Sequence, residues 1–410
     1  MKTYKINDLE TIARTFLKPC QKFKNYEAVS LTSNGENYGS LVLDVKIFIE
    51  NEETCKDEVL NVVAKMLPPN EFLKEAFNVN ITFKKEVHMY STIMNELKLF
   101  AKEHDYKESL EFLAEYFGSR VSLNPNAVDV NDDAIIILEN LKLSEFVSVS
   151  RFSGFDLEAS KLILKTLAQF HGIPLSLKLL YPDRFENKLM KYLEPGMDFE
   201  KEREYIDCLF RRQLDIAAEF DKRCEKLISR FLKLLNDAEG MFDKNCSLGD
   251  SYGTICHIDL WINNIMLKYD KDKMTPKKCK FVDFQIYCYG NLTRDVVFFL
   301  FTSTHISVLR EHFDELVEIY RNQLCNILQH FNCDTKPYRS EGFREQMKII
   351  AKATEIVHAS TMLNVIHAEK GEVKDMEEIE PDDFLQERHS EIYKQRLAAI
   401  FNICSDKQWV

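Results

Sequence analysis

Two short segments, a hairpin's length apart, carry side chains that only one local geometry brings together. The first, ICHIDLWINNIMLKYD (residues 255–270), holds His257, Asp259 and Asn264 in the pattern H-x-D-x-x-x-x-N. The second, KFVDFQ (280–285), places Asp283 at the end of an apolar run. Residues 265–269 and 279–283 read as strands around the polar stretch Lys271–Lys278, which contains Pro276. The midpoint between Asn264 and Asp283 falls inside that turn, so folding the hairpin sets the two side by side. An amide oxygen beside a carboxylate is a hard-oxygen pair suited to Mg²⁺. Asp259 lies on the loop entering the hairpin, where it can take a proton from an attacking hydroxyl. His257 reads as a histidine that orients this loop.

A base and metal ligands of this kind belong to phosphoryl transfer, which also needs a cation on the phosphates. Lys65, late in the third strand of the N-terminal part (VVAKMLP), fits that role. Glu86, in FKKEVHMY on a helix read over 71–100, would hold it in place. The stretch GENYGS, with Gly35, Asn37, Gly39 and Ser40, lies between two strands ahead of the lysine, where backbone N–H groups can approach an anion.

The rest of the chain is organised to match. From Ser40 onward Leu41, Leu43, Val45, Ile47 and Ile49 share one face of a strand, and a polar turn leads to a further run, Val59–Leu67, that Pro68-Pro69 ends. A helix is expected over 106–117 and a short buried strand at Ala134–Leu138. Beyond residue 142 helical periods dominate. Asp156 is an N-cap for a helix that Gly172 and Pro174 close, and His171 sits on its apolar face as a core histidine. Further helices are expected over 200–238, 309–331, 341–367 and 385–402, and Glu369–Asp383 reads as a solvated acidic loop. The fold class is therefore α+β: a bilobal protein-kinase-like fold. Its small antiparallel-sheet N-lobe with one main helix spans 1–138, its hinge 139–142, and its larger, mostly helical C-lobe 143–410.

Composition limits the partners. The chain has 410 residues, too many for one small core, and 45% are apolar. With 54 basic and 66 acidic residues its net charge is −12, a poor footprint for nucleic acid. The longest apolar runs, Ala134–Leu138 and Val296–Phe301, are far too short for a membrane span, and MKTYKINDLE has no apolar core of a secretory signal. Eleven cysteines with no CxxC pair read as reduced thiols of a cytoplasmic protein.

With these motifs in hand, the sequence resembles the insect ecdysteroid kinase-like (CHK kinase-like) family, related to aminoglycoside phosphotransferases and choline kinases. The resemblance runs from about residue 25 to residue 400. It rests on GENYGS, VVAKMLP, FKKEVHMY, IILENLKLSEF, LILKTLAQFHGIPLSL, the D-L-W-x-N-N-I-M stretch, and D-F-Q with a following R-D-x-x-x-F-L. It implies ATP and Mg²⁺ as cofactors, Asp259 as catalytic base, Asn264 and Asp283 as metal ligands, and Lys65, paired to Glu86, on the phosphates. It also implies that backbone groups of Glu139, Asn140 and Leu141 receive the adenine and that Asp295 braces the catalytic loop. One position departs from the family's H-G-D: here Ile258 stands between His257 and Asp259. A β-branched residue disfavours positive φ, so the loop is expected to move if that position requires it.

Asp295 follows Asp283 by only twelve positions, too few to hold a polypeptide substrate. The expected acceptor is a small hydroxyl compound, by resemblance an ecdysteroid or another lipophilic alcohol. The region 175–250, with Phe185, Tyr192, Phe199, Tyr205 and Phe210, and Trp261 are candidate walls. A cationic amino alcohol would also suit the acidic charge balance. An impaired kinase fold that only binds ATP or a ligand is the alternative class.

Overall fold

The alternating run is the middle of an antiparallel meander. The computed structural model describes residues 3–31, 39–196, 203–237, 246–272, 274–368, 374, 376–380, 383 and 388–410. After the short helix α1 (Leu9–Ala13) come β1 (Gln21–Ser30), β2 (Leu41–Asn51) and β3 (Lys56–Met66), each antiparallel to the next. Leu43, Val45, Ile47 and Ile49 join Val62, Ala64 and Met66 in one buried face, closed by Ile6, Leu9 and Ile12. The two-residue period of a strand then puts Lys65 on the opposite face.

The stretch expected as one helix over 71–100 is divided into α2 (Glu71–Ala76), α3 (Val79–His88), a π-turn at Met89–Ile93 and α4 (Met94–Glu103). Asn78, in left-handed conformation at φ 45°, separates the first two. No helix forms over 106–117. Residues 106–115 are irregular and β4 (Tyr116–Arg120) follows, pairing with β5 (Ile135–Glu139). Sheet pairing wins there because Phe112, Leu113 and Ala114 are buried together and the backbone needs partners, as in the bond from Glu139 N–H to the Glu115 carbonyl at 2.8 Å. The sheet order is β1-β2-β3-β5-β4.

The second part begins with β6 (Phe146–Val147) and α5 (Leu157–Leu180), capped by Asp156, whose side chain accepts from the Ala159 N–H. This helix does not stop at Gly172 and Pro174. It continues to Leu180, because an unsubstituted position at 172 lets it press on a later helix: an added Cβ would meet Ile327 Cγ2 at 2.9 Å. There follow α6 (Pro182–Lys188), α7 (Arg203–Phe220), α8 (Lys222–Glu225), α9 (Ile228–Asp237) and four short strands, β7 (Gly253–Cys256), β8 (Ile265–Tyr269), β9 (Pro276–Phe281) and β10 (Cys288–Asn291). The chain ends in α10 (Thr293–Ser303), α11 (Ile306–His330), α12 (Ser340–Ile350), α13 (Ile356–Ile366) and α14 (Glu391–Asp406), with a π-turn at Ala351–Glu355 dividing the expected helix over 341–367.

β8 and β9 form the expected hairpin, shifted by one residue. Ile265 faces Phe281, so Asn264 lies opposite Val282 and its carbonyl accepts the Val282 N–H at 3.0 Å. Phe185, Phe210 and Trp261, expected as pocket walls, are instead buried in the main apolar core, and Phe199 lies outside the described residues. All eleven cysteines are free thiols, and among the described residues no helix is long and apolar enough to cross a membrane.

Candidate active site

Lys65 is the centre of the site. Its strand position carries it inward, where it is 5% exposed. Its Nζ lies 2.6 Å from Glu86 Oε2 and 2.7 Å from Asp283 Oδ1. Burial works against its charge, but the carboxylates of Asp283 and Glu86 outweigh it and hold the ammonium above its ordinary pKa. Glu86 Oε1 also accepts the Phe284 N–H at 3.3 Å, so one carboxylate ties α3 both to the lysine and to the backbone just past Asp283.

The loop that carries Asp259 follows β7. His257 Nε2 lies 3.1 Å from the Val282 carbonyl and its ring stands 4.6 Å from that of Phe284, which fastens the loop to the residues on either side of Asp283. Asn264, in a 3₁₀ turn at Ile262–Asn264, gives its Nδ2 to both the carbonyl (2.8 Å) and Oδ2 (2.9 Å) of Asp259. That choice of amide orientation leaves Oδ1 as the atom Asn264 could offer a metal. Burial, then the charge of Asp283, pushes the Asp259 carboxyl well above the ordinary carboxylate range, against the hydrogen bonds of Asn264 and Trp261.

Asp295, in the first turn of α10, is the brace. Its carboxylate accepts the His257 N–H at 2.6 Å and the Ile258 N–H at 2.9 Å, and pairs with His171 Nε2 at 3.0 Å. Burial would raise it, but the hydrogen bond and charge of His171 outweigh that and keep it low. His171 Nδ1 in turn lies 2.6 Å from the Tyr320 hydroxyl. His171 is thus a core histidine that also orients the brace. Its apolar helix face signalled only the core, and nothing in the sequence pointed to Tyr320. His171, Cys256 and Asp295 stand close enough to hold an ion, yet the carboxylate is already filled by its three donors.

Ile258 takes φ 72° and Asp283 takes φ 67°, both left-handed. The expected displacement of the loop does not occur: the backbone adopts the strained conformation, and Ile258, 4% exposed, is packed against Cys256 and Cys288.

Of the residues expected to meet the nucleotide, Gly35 and Asn37 lie outside the described residues. Gly39 sits against the segment after Asp283, since an added Cβ would meet Gln285 Oε1 at 2.6 Å, and Ser40 is buried beside it. The Glu139 carboxylate is bound by Lys280 Nζ and Ser144 Oγ, both at 2.6 Å. Asn140 Nδ2 donates to Asp44 Oδ1 at 2.9 Å. The Leu141 carbonyl accepts from Phe146, while the Leu141 N–H makes no backbone bond among the described residues. Past Asp283 the chain returns at once: β10 pairs with β7 and α10 begins at Thr293.

A meander bearing a buried lysine–glutamate pair, joined to a helical part bearing an aspartate loop and a hairpin aspartate, defines a kinase-like fold. The chain belongs to the ecdysteroid kinase-like family, whose model matches residues 34–333. Among solved structures it is similar to Plasmodium vivax ethanolamine kinase, at 11% identity and a TM-score of 0.41, over 95% of this chain and 85% of that one. It is likewise similar to the amicoumacin kinase hAmiN in complex with AMP-PNP, Ca2+ and Ami, at 10% identity and a TM-score of 0.43, over 92% and 88%. No curated protein matches it.

Proposed function

We propose that the protein is a small-molecule kinase that transfers the γ-phosphate of ATP, with Mg²⁺, to a hydroxyl of a lipophilic alcohol such as an ecdysteroid. The observation that carries this reading is Lys65 held between Glu86 and Asp283, with Asp259 and Asn264 on the adjoining loop. In it, residues 1–138 and 143–410 are the two lobes, and 139–142 the hinge whose Glu139–Leu141 backbone receives the adenine. Gly35, Asn37, Gly39 and Ser40 belong to the phosphate loop. Lys65 neutralises phosphate charge. The hard-oxygen donors Asp283 and Asn264 Oδ1 fit Mg²⁺, which when bound would offset charge on the β- and γ-phosphates.

The acceptor oxygen forms its bond to the γ-phosphorus as the bond to the bridging oxygen of ADP breaks, and the hydroxyl proton passes to Asp259. The raised carboxyl of Asp259 suits a group that takes up a proton. The short passage from Asp283 to α10 leaves no long segment for a polypeptide, so the acceptor is small. The test is ATP consumption and product mass with Mg²⁺ over a panel of ecdysteroids, other lipophilic alcohols and cationic amino alcohols. Consumption with a lipophilic alcohol and a gain of one phosphate is expected. Turnover of amino alcohols alone would replace the acceptor class. Nucleotide binding with no turnover on any acceptor would make the protein a binding member of its family.

A further inference from the structure

Beside Glu86 stands a second buried cation that the chemistry above does not use. Lys85 is 6% exposed, and its Nζ donates to the Glu194 carbonyl at 2.5 Å and to the Tyr192 carbonyl at 3.1 Å. The same Nζ lies 4.3 Å from the centre of the Tyr287 ring, and the Tyr287 hydroxyl donates to the Lys85 carbonyl at 3.0 Å. Among the described residues no carboxylate takes this ammonium: its partners are two peptide carbonyls and an aromatic face.

The contact continues along one side of α3. Asn78 Nδ2 donates to the Gly196 carbonyl at 3.2 Å, and His88 stacks on Tyr192 at 4.4 Å. A Cβ at Gly196 would come within 2.9 Å of Lys85 Cδ and 3.3 Å of Thr82 Cγ2, so the strand of chain at 192–196 runs directly against the helix. Positions 78, 82, 85 and 88 follow the helical period and form a single face. Glu86 is the next residue round the helix, and it reaches Lys65.

We propose that Lys85 is a positioning residue, which clamps α3 to residues 192–196 and to Tyr287 and so sets where Glu86 holds Lys65. Tyr287 lies four residues past Asp283. The clamp therefore joins the lysine–glutamate pair to the segment that follows Asp283 and to residues 192–196, which are themselves tied to that segment by the bond from the Tyr289 N–H to the Leu193 carbonyl at 2.8 Å. Lys85 acts through Glu86 and touches no reacting atom. Its use in nucleotide binding rests on the function proposed above; its effect on the helix does not.

Two measurements on the full chain separate these. In the nucleotide-free protein, hydrogen exchange over 79–88 should quicken about tenfold in Lys85→Met, with the β1–β3 amides unchanged. Gly196→Ala, which presses on the lysine stem from the other side, should quicken the same amides and serves if Lys85→Met does not fold. In titrations with Mg-AMP-PNP, Lys85→Met and Glu86→Gln should each weaken binding about tenfold, and the double variant no more than the poorer single, because both act through one pair. Unchanged exchange over 79–88 in both clamp variants overturns the clamp. Additive losses in the double variant overturn its action through Glu86. A wild type that binds no nucleotide overturns the proposed function, while the exchange result still decides the clamp.

Discussion

The Asp295 carboxylate receives the backbone N–H of Ile258 at 2.9 Å while Ile258 itself sits at φ 72°. The brace and the strain are one device. A left-handed β-branched residue is costly by roughly 1–3 kcal/mol and persists only where its surroundings over-determine it. Here the bonds to Asp295 and the packing against Cys256 and Cys288 do so. Replacing Ile258 by Gly relieves the backbone but removes a buried side chain, so the two effects offset. Ile258→Ala keeps the strain and loses the packing, about 2–5 kcal/mol. Chemical denaturation should therefore rank Gly above Ala at 258. Turnover of Ile258→Gly should equal or exceed that of wild type, since it restores H-G-D. Ala proving the more stable would mean that the left-handed conformation carries no cost.

Asp295→Asn should be among the most damaging single changes away from the phosphates. It leaves His171 and two N–H groups facing a neutral amide, an expected loss of about 3–5 kcal/mol for a broken buried pair. Because the folded carboxyl is held low, its contribution is present above the unfolded aspartate's pKa and is lost as pH falls through the folded one. Urea melts of the two proteins should thus differ widely at neutral pH and converge in acid. A gap that stays constant with pH would show that Asp295 does not act through its charge.

Much of this site was legible because its chemistry is carried by short motifs. Lys65, Glu86, Asp259, Asn264 and Asp283 could each be placed on a strand, helix or loop from local pattern, and the structure joins Lys65 to Glu86 and Asp283, and Asn264 to Asp259. The alternation at 41–49 gave the correct buried face. The failures are where long-range packing overrides local preference. Residues 106–117 lose their helix to sheet pairing, α5 runs through Pro174 because Gly172 lets α11 approach, and the hairpin slips by one residue so that Asn264 faces Val282. Tyr320 and Tyr287 gave no signal, since each acts on a residue more than a hundred positions away.

Lys65→Met removes the cation that stands between the Glu86 and Asp283 carboxylates. Nucleotide affinity should fall, and Glu86→Gln should show a weaker form of the same defect. The methionine variant should also gain a steeper pH dependence, since burial already raises the Glu86 carboxyl and the Lys65 ammonium opposes that rise. Glu86, buried without its ammonium, takes a folded pKa above its unfolded one, so the folded state binds the extra proton. Stability then falls as pH rises through the window between the two values. Thermal melts from pH 5 to 8 should slope downward in Lys65→Met and flatten again in the double variant with Glu86→Gln. A flat profile in the single variant would mean that Glu86 does not depend on Lys65.

Asp283→Ala removes both the carboxylate proposed for Mg²⁺ and one of the two partners of Lys65. Titration with Mg-AMP-PNP should show binding lost or weakened by more than tenfold, and turnover abolished. The fold should survive, since the Asp283 side chain is 23% exposed and Glu86 still pairs with the lysine. Unchanged dependence on Mg²⁺ in this variant would remove Asp283 from the metal site.

Asp259, the proposed base, is the position at which chemistry and binding should separate. Its carboxylate is held by Asn264 and Trp261 on a loop fixed by His257 and Asp295, so Asp259→Asn keeps the shape and a hydrogen-bonding oxygen while losing charge and basicity. Mg-AMP-PNP affinity should be nearly unchanged, and turnover reduced about 10²-fold or more, the usual scale for a positioned acid–base group. The pH profile supplies an independent mark. A base must be ionised to act, and this carboxyl is raised by burial and by Asp283, so wild-type turnover should climb with pH through a value above the ordinary aspartate range. That limb should disappear in Asp259→Asn. Loss of nucleotide affinity in parallel with turnover would place Asp259 among the binding groups and leave the proton without an acceptor. A wild type with no turnover, together with an Asp259→Asn variant that binds nucleotide as tightly, would mark the loop as retained for binding alone.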